Sequence, residues 1–192
     1  GVFPNQPDSA MLRGEAQQSI DSVEGTQRLA FEVLVPGGFN ATSVLTHLVV
    51  NGSELYALDS AHQKVYRATF TKSNKYIMDR TFDCAAGPVG SLVIKRIVDI
   101  AWLEIPNIVN QPVLLAVDEN GALMYCKPDG TPPQASQLQI PDTGWKKPRA
   151  ISIFANRLYV FDPGANEIWQ YDRPSGVFSE RAKRYFTTQT PD

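Results

Sequence analysis

The stretch Leu55-Tyr56-Ala57-Leu58-Asp59-Ser60-Ala61-His62-Gln63-Lys64-Val65-Tyr66-Arg67 decides the fold. An apolar run ends in an aspartate, a polar turn follows, and a second apolar and aromatic run returns. The same order is written twice more. Leu114-Leu115-Ala116-Val117-Asp118 leads through a turn to Ala122-Leu123-Met124-Tyr125. Leu158-Tyr159-Val160-Phe161-Asp162 leads to Glu167-Ile168-Trp169-Gln170-Tyr171. Apolar runs of strand length, separated by turn formers, are the pattern of a β-hairpin.

Working outward, each hairpin gains a strand on either side. Val44–Val50 precedes the first hairpin across Asn51-Gly52-Ser53, whose Asn and Gly tolerate positive φ. Lys75–Phe82 follows it. The second unit reads Ile97–Leu103, Pro112–Val117, Ala122–Lys127 and Ala135–Ile140. The third reads Arg149–Ala155, Leu158–Phe161, Glu167–Tyr171 and Val177–Phe186. Asp59 and Asp118 stand 59 residues apart, and Asp118 and Asp162 stand 44 apart. The second spacing matches the ~40–50-residue period of propeller blades. The extra chain in the first spacing falls to Cys84–Arg96 and Pro106–Gln111, and the 84–90 stretch is read as a flexible insertion.

The expected class is therefore all-β: three four-stranded antiparallel propeller blades, at about 44–83, 97–140 and 149–186. A β-sandwich is the competitor, but it does not predict a repeated hairpin. Ahead of the blades, Leu12, Ala16, Ile20 and Val23 form one stripe of a helix over Ser9–Glu24. Asp8 or Ser9 caps it and Gly25 stops it. Leu29, Phe31, Val33 and Val35 alternate as a strand. The expected division is a helical segment at 1–28 and a propeller segment at 29–192. Propellers typically close with about 4–8 blades. Three units and one strand make a partial propeller, completed by the N-terminal strand and helix as a degenerate fourth unit, by further chain, or by a homo-oligomer.

The 192 residues are 43% apolar and 20% charged, which suits a folded core. A net charge of −2 lacks the basic footprint of nucleic-acid binding. No apolar run approaches the ~18 residues of a membrane span. Gly1-Val2-Phe3-Pro4-Asn5 lacks the basic region and apolar core of a signal peptide.

The hairpins resemble six-bladed, NHL-like and lactonase-like propeller repeats. The residues that carry this are Leu55–Arg67, Leu114–Tyr125 and Arg157–Tyr171, with Ile97-Val98-Asp99-Ile100-Ala101-Trp102-Leu103 and Gly144-Trp145-Lys146-Lys147-Pro148-Arg149-Ala150 in support. The resemblance covers about residues 29–186 and points to bacterial propeller segments of longer, membrane-anchored or signalling-associated proteins. It implies an incomplete copy. A lactonase-like member would line a central channel with Glu, Asn and Asp ligands suited to calcium. Asp99, Glu104, Asn107 and Asn110 are the residues nearest to such a set, and they form no matching motif.

Few residues carry a chemical signal. Asp59, Asp118 and Asp162 sit at equivalent hairpin ends, where an Asp side chain takes nearby N–H groups, so they read as turn formers before cation ligands. His47 and His62 lack the partners of a zinc site. Cys84 and Cys126 are too few for a disulfide scaffold or a zinc site; Cys126 reads as a buried thiol and Cys84 sits at a strand end, with a disulfide between the two as the less favoured alternative. Asn40-Ala41-Thr42 and Asn51-Gly52-Ser53 match the glycosylation tripeptide. Trp102 and Trp169 read as packing between blades. Trp145, with Lys146, Lys147 and Arg149, reads either as a contact patch or as a solvated loop with one anchoring Trp. Pro88 and Val89 of the 84–96 insertion are the other contact candidates.

The leading expectation is a non-enzymatic binding or scaffolding module, outside the cytoplasm, with a protein or small-molecule partner. It has no catalytic residues, metal or cofactor. The alternative is a metal-dependent lactonase-like hydrolase that uses calcium in the central channel.

Overall fold

Strands form at each of the three repeated hairpins that the apolar alternation predicts, and their central strands pair antiparallel. A computed structural model describes residues 7–27 and 32–186. The chain divides into two compact units, Gly1–Val33 and Leu34–Asp192.

In the first unit, helix α1 spans Pro7–Glu24, two residues earlier than expected. Proline is tolerated in the first turn because its missing N–H has no helical partner there. Gly25 ends the helix at φ +65°, and the Thr26 N–H returns to the Asp21 carbonyl at 2.8 Å. That 6→1 bond is a Schellman stop. Leu12, Ile20 and Val23 of the predicted stripe are exposed.

The second unit holds three four-stranded antiparallel sheets and one two-stranded sheet. The first sheet is β1 (Leu45–Asn51), β2 (Glu54–Asp59), β3 (Lys64–Phe70) and β4 (Tyr76–Asp79). The small sheet is β5 (Gly87–Val89) with β6 (Leu92–Ile94). The middle sheet is β7 (Ile97–Leu103), β8 (Val113–Asp118), β9 (Ala122–Cys126) and β10 (Gln134–Gln137). The last sheet is β11 (Ala150–Phe154), β12 (Arg157–Asp162), β13 (Glu167–Asp172) and β14 (Lys183–Arg184).

Two expectations are corrected here. Of the strand predicted at 29–35, residues 29–31 lie outside the described residues, and 32–35 form no strand. Two glycines at positive φ, Gly37 and Gly38, follow and turn the chain instead. The insertion at 84–96 is ordered as the β5–β6 hairpin, with Gly90 at φ +58° in its turn. Its Val89 and Ile94 are buried in the core. Outer strands are shorter than predicted. β14 pairs only two residues, Lys183 and Arg184, with β13.

Pairing register shows that the sheets repeat one plan. Tyr56, Leu115 and Tyr159 are equivalent positions, three residues before the terminal Asp of each hairpin. Their neighbours alternate strictly between two faces. The face that bears Tyr56, Leu58 and Val65 in the first sheet is called the front here, and the opposite face the back. The front of the first sheet packs on the back of the middle sheet, through Ile100, Trp102, Leu114, Ala116, Met124 and Cys126. The front of the middle sheet, Leu115, Val117, Leu123 and Tyr125, packs on the back of the last sheet, through Ile151, Ile153, Leu158, Val160, Trp169 and Tyr171. The middle sheet is covered on both faces, which explains why every residue of β8 and β9 is buried. Strands β1, β7 and β11 lie side by side. β1 and β7 each carry an irregularity at the same place, between Leu45 and His47 and between Ile97 and Asp99.

Candidate functional site

The three hairpin aspartates come first, because they are fully or almost fully buried. Asp59 Oδ1 accepts the N–H groups of Val44 and Ala61, each at 3.0 Å, and of His62 at 3.3 Å. Asp118 accepts the N–H groups of Lys95, Asn120 and Ala122, each at 2.8 Å. Asp162 accepts those of Lys146 at 3.0 Å and Lys147 at 2.7 Å. Each carboxylate ties its hairpin to the segment that leads into the first strand of its own sheet. The sequence pattern signals a turn former. It does not reveal the upstream donors, because those are 15–23 residues away in the chain. Burial opposes ionisation of Asp59. The Ser43 side chain and the Val44 and His62 donors outweigh it and hold the carboxyl far below the usual range.

His62 extends the first of these sites. Its Nδ1 stands 2.7 Å from Asp59 Oδ2, and its Nε2 stands 3.2 Å from Thr42 Oγ1. A hydroxyl, an imidazole and a carboxylate in this order resemble a nucleophile relay. Thr42 Oγ1, however, also bonds Asn40 Oδ1 at 3.2 Å, and Asp59 is taken up by three backbone donors. The triplet locks the loop before β1 onto the β2–β3 turn.

A second cluster crosses the three adjacent first strands. Asp99 of β7, 7% exposed, donates nothing and accepts from both sides. Its Oδ1 takes the Ile100 N–H and its Oδ2 takes the Ile151 N–H of β11, both at 2.7 Å. His47 Nε2 of β1 stands 3.7 Å from Asp99 Oδ1. Burial raises the Asp99 carboxyl above its ordinary value, against the pull of the Ile151 and Ile100 N–H groups and of His47. The other residues named for a calcium set are engaged locally. Glu104 accepts the Trp102 indole N–H at 2.8 Å, and Asn107 bonds the Gln111 carbonyl and the Val109 N–H. Asn110 turns at φ +54°. Among the described residues, no group of three or more His, Cys, Asp or Glu side chains could hold a metal ion.

The loop Gly144–Arg149 is fixed from below. The Asp162 carboxylate holds its backbone, and Gly164 lets the loop approach. A Cβ on Gly164 would meet those of Lys147 and Lys146 at 2.8 and 2.9 Å. Trp145 is half-buried and stacks on Tyr171, with ring centroids 6.2 Å apart. It lies against Gly121, where a Cβ would come within 2.5 Å of the indole nitrogen. Trp145 is thus an anchor, while the Lys146, Lys147 and Arg149 side chains are exposed. Trp102 and Trp169 pack in the two cores as expected.

Pro88 and Val89 part company. Pro88 is exposed and lines a cleft of about 280 Å³ with Asp83, Ala86, Gly90, Pro132 and Pro133. Val89 lines the same cleft but is only 7% exposed, and it packs in the first core. Its hairpin packs in the first core cluster, whereas Trp145 packs against the second.

Cys84 and Cys126 are disulfide-bonded, with Cα atoms 5.5 Å apart, and both are fully buried. The favoured reading of Cys126 as a buried thiol is corrected to the alternative, a bridge to Cys84. The chain at 84–86 lies beside the start of β3, where the Val65 N–H bonds the Cys84 carbonyl at 2.8 Å, and the packing of the first two sheets brings it to β9. The bridge joins the segment that follows the first sheet, hydrogen-bonded to β3, to β9 of the middle sheet across 42 residues.

No family model matches the chain, and no curated protein matches it. Among solved structures, a putative 6-phosphogluconolactonase from Bacteroides uniformis is similar over 72% of this chain, with 12% identity and a TM-score of 0.46. The match spans 40% of that protein's length. A likeness at this level transfers no activity and no residue role.

Proposed function

We propose that the chain is a β-propeller segment that serves as a non-enzymatic binding or scaffolding module. One observation carries the reading. The carboxylates best placed to act, Asp59, Asp99, Asp118 and Asp162, each accept two or more backbone N–H groups. They hold sheets together, and the cationic and aromatic loops stand outside them on a fixed frame. The front-to-back packing with β1, β7 and β11 alongside one another supports a radial arrangement. The Cys84–Cys126 bridge supports an oxidising, extracytoplasmic setting.

The test is a calcium titration by calorimetry, with thermal unfolding with and without calcium and an assay of lactone hydrolysis. The expected result is no heat of binding, no stabilisation and no turnover. Calcium-dependent hydrolysis that Asp99→Asn abolishes would establish the lactonase-like reading in its place.

A further inference from the structure

We infer that two copies of this chain close one six-sheet ring, the front of the last sheet in each copy packing on the back of the first sheet in the other. The inference rests on the propeller reading and extends it to a partner.

The packing rule inside the chain is directional. Front meets back twice, and no front meets a front. On the front of the last sheet, the register equivalents of the buried Leu115, Val117, Leu123 and Leu103 are Tyr159, Phe161, Ile168 and Phe154. Leu103 is fully buried, whereas Phe154 is 72% exposed and Phe161 46%. Tyr185 packs edge-on to Tyr159 and extends the apolar face. With Ser152, Phe154, Tyr159 and Ile168 it lines a groove of about 360 Å³.

The back of the first sheet carries the matching half. Pairing makes Leu48 and Val50 equivalent to Ile100 and Trp102 in the middle sheet and to Ile151 and Ile153 in the last. Those four pack against a neighbouring sheet. Leu48 and Val50 are 64% and 63% exposed. Phe39 already covers Tyr66 on the β3 side of this face, at 5.4 Å between centroids, so the partner sits on the β1–β2 side. A face that matches a packed face position for position, with apolar residues at each, fits the same occupant, a sheet of this repeat. The other copy carries such a sheet with its complementary face exposed. Two copies supply six sheets, within the ~4–8 that close a propeller. A head-to-tail contact that closes leaves neither exposed face over.

Sedimentation velocity on the intact chain over roughly 1–100 μM tests this. The expected mass is twice the 21.2 kDa of one chain. Phe161→Glu and Leu48→Glu, both at exposed sites, should each give a folded monomer, with a melting temperature that no longer rises with protein concentration as that of the wild type does. Mixing the two should restore a dimer of lower affinity, because one of the two contacts is then unmutated. A wild-type monomer throughout, or a Leu48→Glu variant that still dimerises as front-to-front pairing would, overturns the inference. So does an open polymer. A monomer whose crystal structure keeps the three sheets radial would overturn the pairing alone, whereas stacked, non-radial sheets would overturn the propeller reading beneath it.

Discussion

Asp99 Oδ2 accepts the Ile151 N–H at 2.7 Å, across 52 residues of sequence and from one sheet to the next. The carboxylate does between sheets what a ladder bond does within one. Asp99→Ala should cost roughly 1–3 kcal/mol, because it leaves a buried N–H unpaired. Asp99→Asn should cost less, since the amide oxygen still accepts. Burial raises the Asp99 carboxyl, so its contribution is full below the unfolded value of about 3.9 and falls as pH rises through the folded value. In urea unfolding, the stability difference between wild type and Asp99→Asn should shrink from acid to neutral pH. A difference that grows with pH would contradict the assignment.

The hairpin aspartates hold backbone N–H groups within their own sheets, and of these Asp59 should respond to pH in the opposite sense. Asp118→Ala strands three N–H groups, those of Lys95, Asn120 and Ala122, and should cost on the order of 3 kcal/mol by chemical denaturation. For Asp59 the folded carboxyl is depressed. Its contribution is present above the unfolded value and is lost as pH falls through the folded one. Asp59→Asn should therefore flatten the acid side of the stability profile.

Removing the disulfide tests how firmly the first two sheets are joined. A bridge that closes 42 residues is worth about 4 kcal/mol in the chain-entropy account. The double variant Cys84→Ser with Cys126→Ser should melt on the order of 10 °C lower by calorimetry. An unchanged melting temperature would mean that the thiols are not paired in the native protein.

Trp145 and its lysines should separate cleanly. Trp145→Ala removes the ring that fills the space between Gly121 and Tyr171, and should cost about 3 kcal/mol in thermal unfolding. Gly121→Ala should destabilise through the same contact, with added strain at φ +77°. Lys146→Ala and Lys147→Ala keep their backbone bonds to Asp162 and should change stability by less than about 0.5 kcal/mol. Any larger effect of the lysines would have to appear in partner binding.

The hairpins were legible because their information is local. Alternation, the terminal Asp and turn residues such as Asn51-Gly52 all lie within a few positions of one another. The helix stop at Gly25 was legible for the same reason. What the sequence hid depends on separation. The pairing of Cys84 with Cys126 follows from the stacking of one sheet on another, which no spacing reveals. Val89 looked like part of a flexible insertion, because Gly87 and Gly90 dominate a stretch that in fact pairs as a hairpin and turns inward. The strand read into Val33 and Val35 had the right alternation but was followed by Pro36-Gly37-Gly38, and the Tyr76 N–H bonds the Leu34 carbonyl there without forming a strand. Trp145 kept two readings open because sequence gives no account of what lies beneath a loop.

The front-to-back stacking also sets an order in which the molecule comes apart. Each sheet touches only its neighbours, so opening free energies should form a gradient and not a single value. The middle sheet is held from both sides, and the disulfide adds a covalent hold to one of them. The last sheet is held from one side, by packing and by hydrogen bonds such as that of Asp99. Amides of β8 and β9 should exchange slowest and those of β13 fastest among the central strands. The protein would then unzip from its carboxyl-terminal sheet, and whatever covers that sheet acts as the latch on the whole stack.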